Sequence, residues 1–438
     1  MNQIKNVAFI GTGSMGRPMI TKLLDAGYHV QVYDKYKKTA DSIVAKGAVW
    51  KSSPKEAVRG CKVVVTCLPL PSHVRENMVG QDGCLAGMDP SSVWIDCSTT
   101  DYHNTLNIAK EGELLDVASL EAPVSNLSHM GVDFANVAFY VGGNQSAYEK
   151  CRAVIDTMGE VSFYAGQIGN GQTVKLFTNM LFYVATVVWS EMLVLSKHVG
   201  IPLLPMWDYV KTSRADSFVT NQCTPLLLDG SYDYSCTLEI TVKDMGLTVE
   251  LADELKVPLP LGRIINSRYK LAGDRYDSQD NHLIVGKLVE EENGINLKVP
   301  DFIGPSPYGT NRKFRHLPGR LKDKFGRIKP ELPKKYLNFG KFTSDQKEKA
   351  DRIIEFVALT NYYALQEGMA LGVAKGFKKE FLDEVIRFSV APSWVHDNID
   401  SYSASLDVCE KLESMISSLT LPATRQILEW IPRTAICS

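Results

Sequence analysis

The chain has 438 residues, and 45% of them are apolar, which is ample for the cores of about two to four domains. This composition excludes a disordered chain, a collagen-like repeat and a small disulfide-held scaffold. The 48 lysines and arginines are balanced by 50 acidic residues, giving a formal charge of −2. Because nucleic-acid binding depends on an excess of positive charge, we expect no nucleic-acid partner.

The spacing of the cysteines and the length of the apolar segments indicate in which cellular compartment the protein is located. Nine cysteines are scattered without a CxxC pair, which favours buried thiols in a reducing environment over disulfides or a metal site. The first residues run directly into an apolar strand pattern and a glycine turn, without the pattern of a secretory signal. The longest apolar run, 180–189, is shorter than the roughly 18 residues of a membrane span. We therefore expect a cytoplasmic protein that binds neither a metal nor a membrane.

Short β-branched runs alternate with helical patterns over residues 1–167. The strand-like runs are NVAFIG, HVQVYD, KVVVTCLP and VWIDCS. This alternation is typical of βαβ units, in which helices cover both faces of a parallel sheet. The first predicted domain is therefore an α/β domain.

A glycine-rich turn follows the first of these strands and opens a helix, which is the setting of a dinucleotide-binding motif. Gly11 allows a tight turn, Gly13 lets the backbone approach a pyrophosphate, and Gly16 permits close helix packing. The phosphates would meet backbone N–H groups at the positive end of the helix. The N-terminal domain is thus predicted to be a Rossmann domain. Its predicted cofactor-binding turn consists of Gly11, Thr12, Gly13, Ser14, Met15 and Gly16.

Asp34 closes the second strand and bears on the choice of cofactor. A carboxylate at this point accepts hydrogen bonds from the adenosine ribose and repels a 2′-phosphate, which favours NAD. NADP stays open as an alternative because three following lysines could attract that phosphate: Lys35, Lys37 and Lys38. Leu68 and Pro69 follow another predicted strand, and we expect their loop to flank the adenosine side of the cofactor.

A long apolar helical pattern begins near Gly171 and ends at Gly200, a typical helix stop. Lys175 and Asn179 are four residues apart and therefore project from one face of this helix. The helix dipole, a bound oxidised nicotinamide and desolvation would together lower the pKa of Lys175 toward that of a usable general base. We predict that Lys175 takes a proton from a substrate hydroxyl while the Asn179 amide orients the same oxygen.

The helical part of the chain contains a sequence repeat at an offset of 176 residues. Segments 191–219 and 367–395 share the order helix, glycine stop, helix. Their identical pairs are Glu191/Glu367, Leu195/Leu371, Gly200/Gly376, Ser213/Ser389, Ala215/Ala391, Ser217/Ser393 and Val219/Val395. The second predicted domain is thus all-α with a duplicated helical unit. Its parts are a first helical unit over 168–295, a basic connector over 296–345 and a second helical unit over 346–438.

The second helical unit lacks the proposed chemistry, because Asp351 and Glu355 stand at the positions of Lys175 and Asn179. We therefore expect it to be scaffold. The basic stretch 311–342 in the connector is interpreted as a solvated or subunit-contact arm. Recruitment of an anionic substrate group is the alternative for this arm.

Taken together, five segments of the chain resemble the β-hydroxyacid dehydrogenase family, typified by 3-hydroxyisobutyrate dehydrogenase and, more distantly, 6-phosphogluconate dehydrogenase. The resemblance covers about residues 5–262 in order. The segments are GTGSMGRPM, DCSTTD, EAPVS, GNGQTVKLFTN and TVKDMGLTVELADELKVPLPLG. It implies hydride transfer between a nicotinamide cofactor and a small hydroxy acid.

The resemblance also implies roles for individual residues. Lys175 would be the acid/base with Asn179 as its partner, and Ser125 would bind the substrate carboxylate. The other implied site residues are Asn126 and Thr99 on the substrate side, Ser98 near the nicotinamide, and Lys243 near the nicotinamide or the substrate.

We accordingly predict an NAD-dependent oxidoreductase of a small 3-hydroxy acid that acts as a homodimer. One alternative is an imine or related C=N reductase on the same fold, which Lys175 disfavours because such relatives generally carry another residue there. The other is a non-catalytic dinucleotide-binding scaffold, based on the basic arm and on the segment after Ser125. In that segment Asn126 and Leu127 replace the two glycines that the family normally has. Substrate identity is for that reason not transferred from the family.

Overall fold

The computed structural model describes residues 4–126, 137–234, 236–302, 320–322, 328–330, 339–403 and 406–435. The chain divides into two compact units, Met1–Leu176 and Phe177–Ser438. The domain limits set at residues 168, 296 and 346 from the sequence stay predictions.

The first unit is built on a nine-stranded sheet with the order β3-β2-β1-β4-β5-β6-β8-β7, in which β9 also pairs with β8. Its strands are β1 (Asn6–Ile10), β2 (His29–Tyr33), β3 (Val49–Trp50), β4 (Val63–Thr66), β5 (Val93–Asp96), β6 (Ala118–Glu121), β7 (Val124–Asn126), β8 (Val137–Gly143) and β9 (Val161–Gly166). Its helices are α1 (Gly16–Asp25), α2 (Asp41–Val44), α3 (Pro54–Val58), α4 (Pro71–Met78), α5 (Tyr102–Glu113) and α6 (Gln145–Met158).

Both faces of this sheet are buried, as the near-continuous apolar strands predict. Along β1, Val7 and Phe9 belong to the core on one face, and Ala8 and Ile10 belong to the core on the other. The strand order reverses at β1, which lies between β2 and β4. In sheets of this kind ligands bind at the carboxyl ends of the strands next to such a reversal. The predicted Rossmann domain is therefore confirmed.

The sheet is parallel except at one edge. Strand β8 runs antiparallel to both β6 and β7. The segment between Asn126 and Val137 is shorter than the dozen or so residues that a crossover to a parallel strand needs, so the chain has to return antiparallel.

The second unit is helical. Its helices, including the one in which the two units divide, are α7 (Asn170–His198), α8 (Leu203–Val210), α9 (Phe218–Gln222), α10 (Thr224–Leu228), α11 (Leu238–Leu255), α12 (Pro260–Arg275), α13 (Ile284–Asn293), α14 (Ser344–Ala374), α15 (Lys379–Arg387), α16 (Trp394–Asp397), α17 (Asp407–Ile416) and α18 (Pro422–Ala435). By length and hydropathy α7 could cross a membrane, but its most apolar stretch is entirely buried in the fold. It is a core helix, as the sequence predicts.

The predicted connector contains two strands that the sequence analysis did not anticipate. Strands β10 (Arg320–Lys322) and β11 (Ile328–Pro330) form an antiparallel pair. Most of the basic arm 311–342 lies outside the described residues, so its two interpretations stay open.

Candidate active site

The glycine turn between β1 and α1 has the geometry that a pyrophosphate requires. Gly11 has φ +100°, and a Cβ there would lie 2.3 Å from the Cys67 carbonyl oxygen. A Cβ on Gly16 would lie 2.1 Å from the Gly11 carbonyl oxygen, so both positions demand glycine. A Cβ on Gly13, in contrast, would meet no heavy atom within 4 Å. Gly13 therefore leaves room on the ligand side of the turn, which fits its predicted role.

The start of α1 completes this phosphate site. Its N-cap, Met15, makes no side-chain hydrogen bond to the first turn, and Gly13 and Ser14 are exposed. Backbone N–H groups at the positive end of the helix are thus not capped by that residue's side chain. The turn can hold the phosphates of a dinucleotide.

Asp34 follows β2 and is bonded to the same turn. One carboxylate oxygen, Oδ2, accepts hydrogen bonds from the Thr12 amide at 2.8 Å and from the Thr12 hydroxyl at 3.1 Å. The other, Oδ1, accepts one from the Tyr36 amide at 2.9 Å. Asp34 therefore fixes Thr12 and places its carboxyl group beside the glycine turn, and its role at the ribose stays a prediction. The lysines that could favour a 2′-phosphate are exposed: Lys35, Lys37 and Lys38.

The loops after β4 and β5 are joined to each other. The Leu68 amide donates to Ser98 Oγ at 2.9 Å, and the Ser98 amide donates to Asp96 Oδ1 at 3.0 Å. The Thr66 hydroxyl also donates to Asp96 Oδ1, at 2.8 Å, across the paired ends of the two strands. Pro69 is exposed on this loop. Leu68 and Ser98, predicted separately, thus belong to one edge of the sheet.

The predicted substrate segment contains two buried polar atoms that have no hydrogen-bond partner among the described residues. Ser125 is fully buried on β7, and its hydroxyl Oγ makes no hydrogen bond to any of them. The side-chain oxygen Oδ1 of Asn126 is likewise buried and unbonded. Because such groups are normally satisfied in a finished fold, both are candidates for a ligand's polar atoms. Leu127 lies outside the described residues.

Glu121 is a site residue that the sequence analysis did not single out. It ends β6, is fully buried, and accepts hydrogen bonds at Oε1 from the amides of Gly169 and Gly171, each at 2.7 Å. The Gln172 amide lies 3.4 Å from the same oxygen. Burial raises the pKa of Glu121 to about 8, against the opposing effect of these three donors. A Glu121 carboxyl group therefore anchors the beginning of α7, the helix that carries Lys175.

Gln172 makes a second attachment between the sheet edge and α7. Its Nε2 donates to the Ser98 carbonyl at 2.9 Å, and its Oε1 accepts from the Thr100 amide at 3.2 Å. The half-buried Thr99 lies between these two bonded residues, and Lys175 follows Gln172 by three positions on α7 and is 9% exposed. The first unit thereby fixes both the loop that holds Ser98 and Thr99 and the helical turn that holds Lys175.

The second unit holds the remaining predicted residues. Asn179, one helical turn after Lys175 on α7, donates from Nδ2 to Asp244 Oδ2 at 2.8 Å. Lys243 Nζ lies 3.0 Å from the other oxygen of Asp244. An ionised carboxylate can only accept, so the amide nitrogen of Asn179 is the atom that faces Asp244. The side-chain oxygen of Asn179 is then not used in this bond.

Asp244 is the second residue that sequence analysis missed. It is 2% exposed, lies beside Lys243 on α11, and contacts both predicted residues of this unit. The only signal in the sequence is its position next to Lys243 in the segment TVKDMG. Within the described part of the chain no cluster of three or more His, Cys, Asp or Glu side chains could hold a metal ion.

Two family models match the chain. Residues 6–166 match the NAD binding domain of 6-phosphogluconate dehydrogenase. Residues 169–288 match the model described as NAD-binding of NADP-dependent 3-hydroxyisobutyrate dehydrogenase. Both matches end before the second helical unit predicted from the sequence.

Known proteins resemble the same part of the chain. An NAD-dependent L-serine dehydrogenase of Pseudomonas aeruginosa is 31% identical over 298 residues, which are 66% of this chain and 100% of that protein. A 3-hydroxyisobutyrate dehydrogenase of the same organism is 29% identical over 273 residues, 61% of this chain and 91% of that protein. The solved 3-hydroxyisobutyrate dehydrogenase of Mycobacterium tuberculosis with L-serine has a TM-score of 0.59 and 26% identity, covering 65% of this chain and 99% of that one.

Proposed function

Since the chain belongs to the β-hydroxyacid dehydrogenase family, a group of NAD(P)-dependent oxidoreductases that act on CH–OH groups, we propose that it oxidises and reduces a small 3-hydroxy acid with Lys175 as general acid/base. The observation that carries this proposal is the placement of Lys175 on α7. Glu121 and Gln172 hold the beginning of that helix to the carboxyl edge of a dinucleotide-binding sheet.

In the proposed oxidation the substrate loses two hydrogens to two different acceptors. One is the hydroxyl proton, and the other leaves the same carbon as a hydride. When bound, the nicotinamide supplies the hydride acceptor. The Lys175 amine takes the hydroxyl proton as the C–H bond breaks, and the C–O bond becomes a carbonyl. In the opposite direction the Lys175 ammonium returns that proton to the carbonyl oxygen.

We propose that four further side chains orient the substrate for this step. Because Asp244 holds its amide nitrogen, Asn179 would present a carbonyl oxygen, which accepts a hydrogen bond from the substrate hydroxyl. Ser125 Oγ would donate to the substrate carboxylate, and this bond would give a partner to a buried hydroxyl that has none in the described part of the chain. Thr99 and Lys243 complete the proposed substrate side, with Lys243 providing positive charge.

The substrate class follows from what two relatives share. L-serine and 3-hydroxyisobutyrate, the substrates that their names state, both carry a hydroxyl on carbon 3, where the carboxyl carbon is carbon 1. The Asn126 side-chain oxygen is also buried without a bond to the described residues, so we propose a substrate with a polar group that can donate to it.

We extend the proposal to the cofactor, the assembly and the compartment. The carboxylate of Asp34 beside the glycine turn favours NAD over NADP. The cysteines of the described chain are all free thiols, which supports a reducing, cytoplasmic location. A homodimer stays the proposed assembly.

A substrate screen tests the proposed function. Purified protein is mixed with NAD+ or NADP+ and a panel of 3-hydroxy acids, including L-serine, 3-hydroxyisobutyrate and analogues bearing phosphate or sulfonate groups, and the absorbance of the reduced nicotinamide is followed. We expect turnover with at least one member and a preference for NAD+. Tight NAD(H) binding without turnover across the panel would instead support a scaffold, and turnover of imines alone would support a C=N reductase.

A further inference from the structure

The helices of the second unit follow one order twice. Helices α7 and α14 are each followed by a glycine in the left-handed region, Gly200 at φ +81° and Gly376 at φ +91°, and then by α8 and α15. Next come the short helices α9 and α16, whose N-caps are Ser217 and Ser393. These paired residues are all separated by the 176 positions of the sequence repeat.

The repeated serines also make the same local bonds. Ser213 Oγ donates to the Val210 carbonyl at 2.9 Å and accepts from the Ala215 amide at 3.1 Å. Ser389 Oγ donates to the Ile386 carbonyl at 2.7 Å and accepts from the Ala391 amide at 2.9 Å. The repeat is therefore a repeat of structure and not only of residue identity.

At one point the two copies meet through the same residue. Ser217 and Ser393 face each other as an antiparallel pair. The Phe218 amide donates to the Pro392 carbonyl at 3.0 Å, and the Trp394 amide donates to the Asp216 carbonyl at 2.7 Å. Adding 176 to the donor's number and subtracting 176 from the acceptor's number turns the first bond into the second, so donor and acceptor are in exchanged copies. Such an arrangement is what a twofold axis between Ser217 and Ser393 produces.

The copies also exchange helix caps. Glu367 of the second copy accepts from the Leu261 amide at 2.7 Å and the Gly262 amide at 3.0 Å, in the first turn of α12. The Leu259 N-cap of α12 supplies no side-chain bond of its own. Conversely, Glu191 of the first copy accepts from the amides of Ala423 and Thr424 in the first turn of α18, at 3.0 and 2.7 Å. Each buried glutamate thus accepts hydrogen bonds from first-turn N–H groups of a helix that belongs to the other copy.

We infer that the second helical unit is an internal copy of the first, and that the two pair about a local twofold axis passing between Ser217 and Ser393. A single chain would then contain the interface that two separate copies of the first helical unit would form. The surface of the first copy around Ser217 is thus covered by the second copy of the same chain.

This pairing gives the second copy a role although it lacks the proposed catalytic pair. Its Asp351 is bonded to the Tyr209 hydroxyl and to Lys347, and its Glu355 pairs with Arg214 at 3.3 Å. Asp351 therefore contacts both the first copy and its own helix, and Glu355 contacts the first copy. Glu367 in turn supports α12, which packs along α11, the helix of Lys243 and Asp244.

A crosslink in the full-length protein tests the axis. Opposed residues in an antiparallel pair of this type have Cα atoms about 4.5 Å apart, within the range that a disulfide spans. We expect the double variant Ser217→Cys, Ser393→Cys to form one intrachain disulfide on mild oxidation, detected as linked peptides by mass spectrometry, whereas each single variant stays unlinked at that position. Failure to link, or linkage between two chains at doubled mass, would overturn the inference.

Hydrogen exchange tests the exchanged caps in variants that keep the side-chain shape. Glu367→Gln should speed amide exchange at the start of α12, residues 260–263, and Glu191→Gln should speed it at the start of α18, residues 422–425. Each effect then appears in the copy that does not carry the substitution. Acceleration confined to the substituted copy would contradict the inference, whether or not the protein has dehydrogenase activity.

Discussion

Glu121 offers a prediction whose sign depends on pH. Burial raises its pKa from 4.5 to about 8. At about 1.4 kcal/mol per pKa unit, the fold therefore favours the protonated over the ionised carboxyl group by roughly 5 kcal/mol more than water does. A carboxyl group with a raised folded-state pKa contributes stability that is complete below pH 4.5 and is lost as the pH rises through about 8. Over that range the loss is about 1.4 kcal/mol for each pH unit.

The variant Glu121→Gln removes this titration, because an amide of the same shape stays neutral. It can still accept at Oε1 from the Gly169 and Gly171 amides, so the beginning of α7 keeps its attachment. We therefore expect the free energy of unfolding of Glu121→Gln, relative to wild type, to increase from pH 5 to pH 8 by up to about 4 kcal/mol. The exposed Glu113→Gln serves as the matched control and should show no such trend.

Urea unfolding at several pH values, followed by circular dichroism, measures this difference, and hydrogen exchange of residues 169–172 reports on the attachment itself. Glu121→Ala should speed that exchange and reduce kcat, because it removes the acceptor and loosens the turn that precedes Lys175. A constant stability difference between Glu121→Gln and wild type across the whole pH range would refute the reasoning. The carboxyl group would then be ionised throughout, with its amide donors outweighing its burial.

Two further substitutions test the cofactor turn and the Asp244 contact. Gly13→Val should weaken NAD binding by about tenfold or more without altering the unfolding midpoint, because its side chain would enter ligand space rather than the fold; isothermal titration and thermal melting measure the two effects. Asp244→Ala should lower kcat by about 10- to 100-fold with a smaller change in KM, the scale of one charge-assisted hydrogen bond, because Asn179 loses the acceptor that orients its amide. Unchanged NAD affinity in the first variant, or unchanged kcat in the second, would contradict these assignments.

Local patterns in the sequence were sufficient for the nucleotide turn. The roles of Gly11, Gly13 and Gly16 depend on backbone conformation over six residues, and a glycine spacing encodes that conformation directly. Asp34 could be singled out because it directly follows the strand after the same helix. The helical spacing of Lys175 and Asn179 is local as well.

Residues that act through distant partners were not predictable in this way. Glu121 bonds to amides about 50 positions later, and Asp244 bonds to an amide 65 positions earlier, and no periodicity encodes either pairing. The identity of Glu191 and Glu367 was visible in the repeat, but the sequence could not reveal that each caps a helix of the other copy. These contacts become evident only when the fold brings the segments together.

The central claim is that the amine of Lys175 moves the hydroxyl proton, and single-turnover hydride transfer measures that step most directly. Stopped-flow absorbance of the reduced nicotinamide is recorded for wild type, Lys175→Ala and the exposed control Lys46→Ala with the best substrate of the screen. We expect a loss of about 100-fold or more in the transfer rate for Lys175→Ala alone, with NAD affinity retained. A transfer rate close to wild type in Lys175→Ala would contradict it.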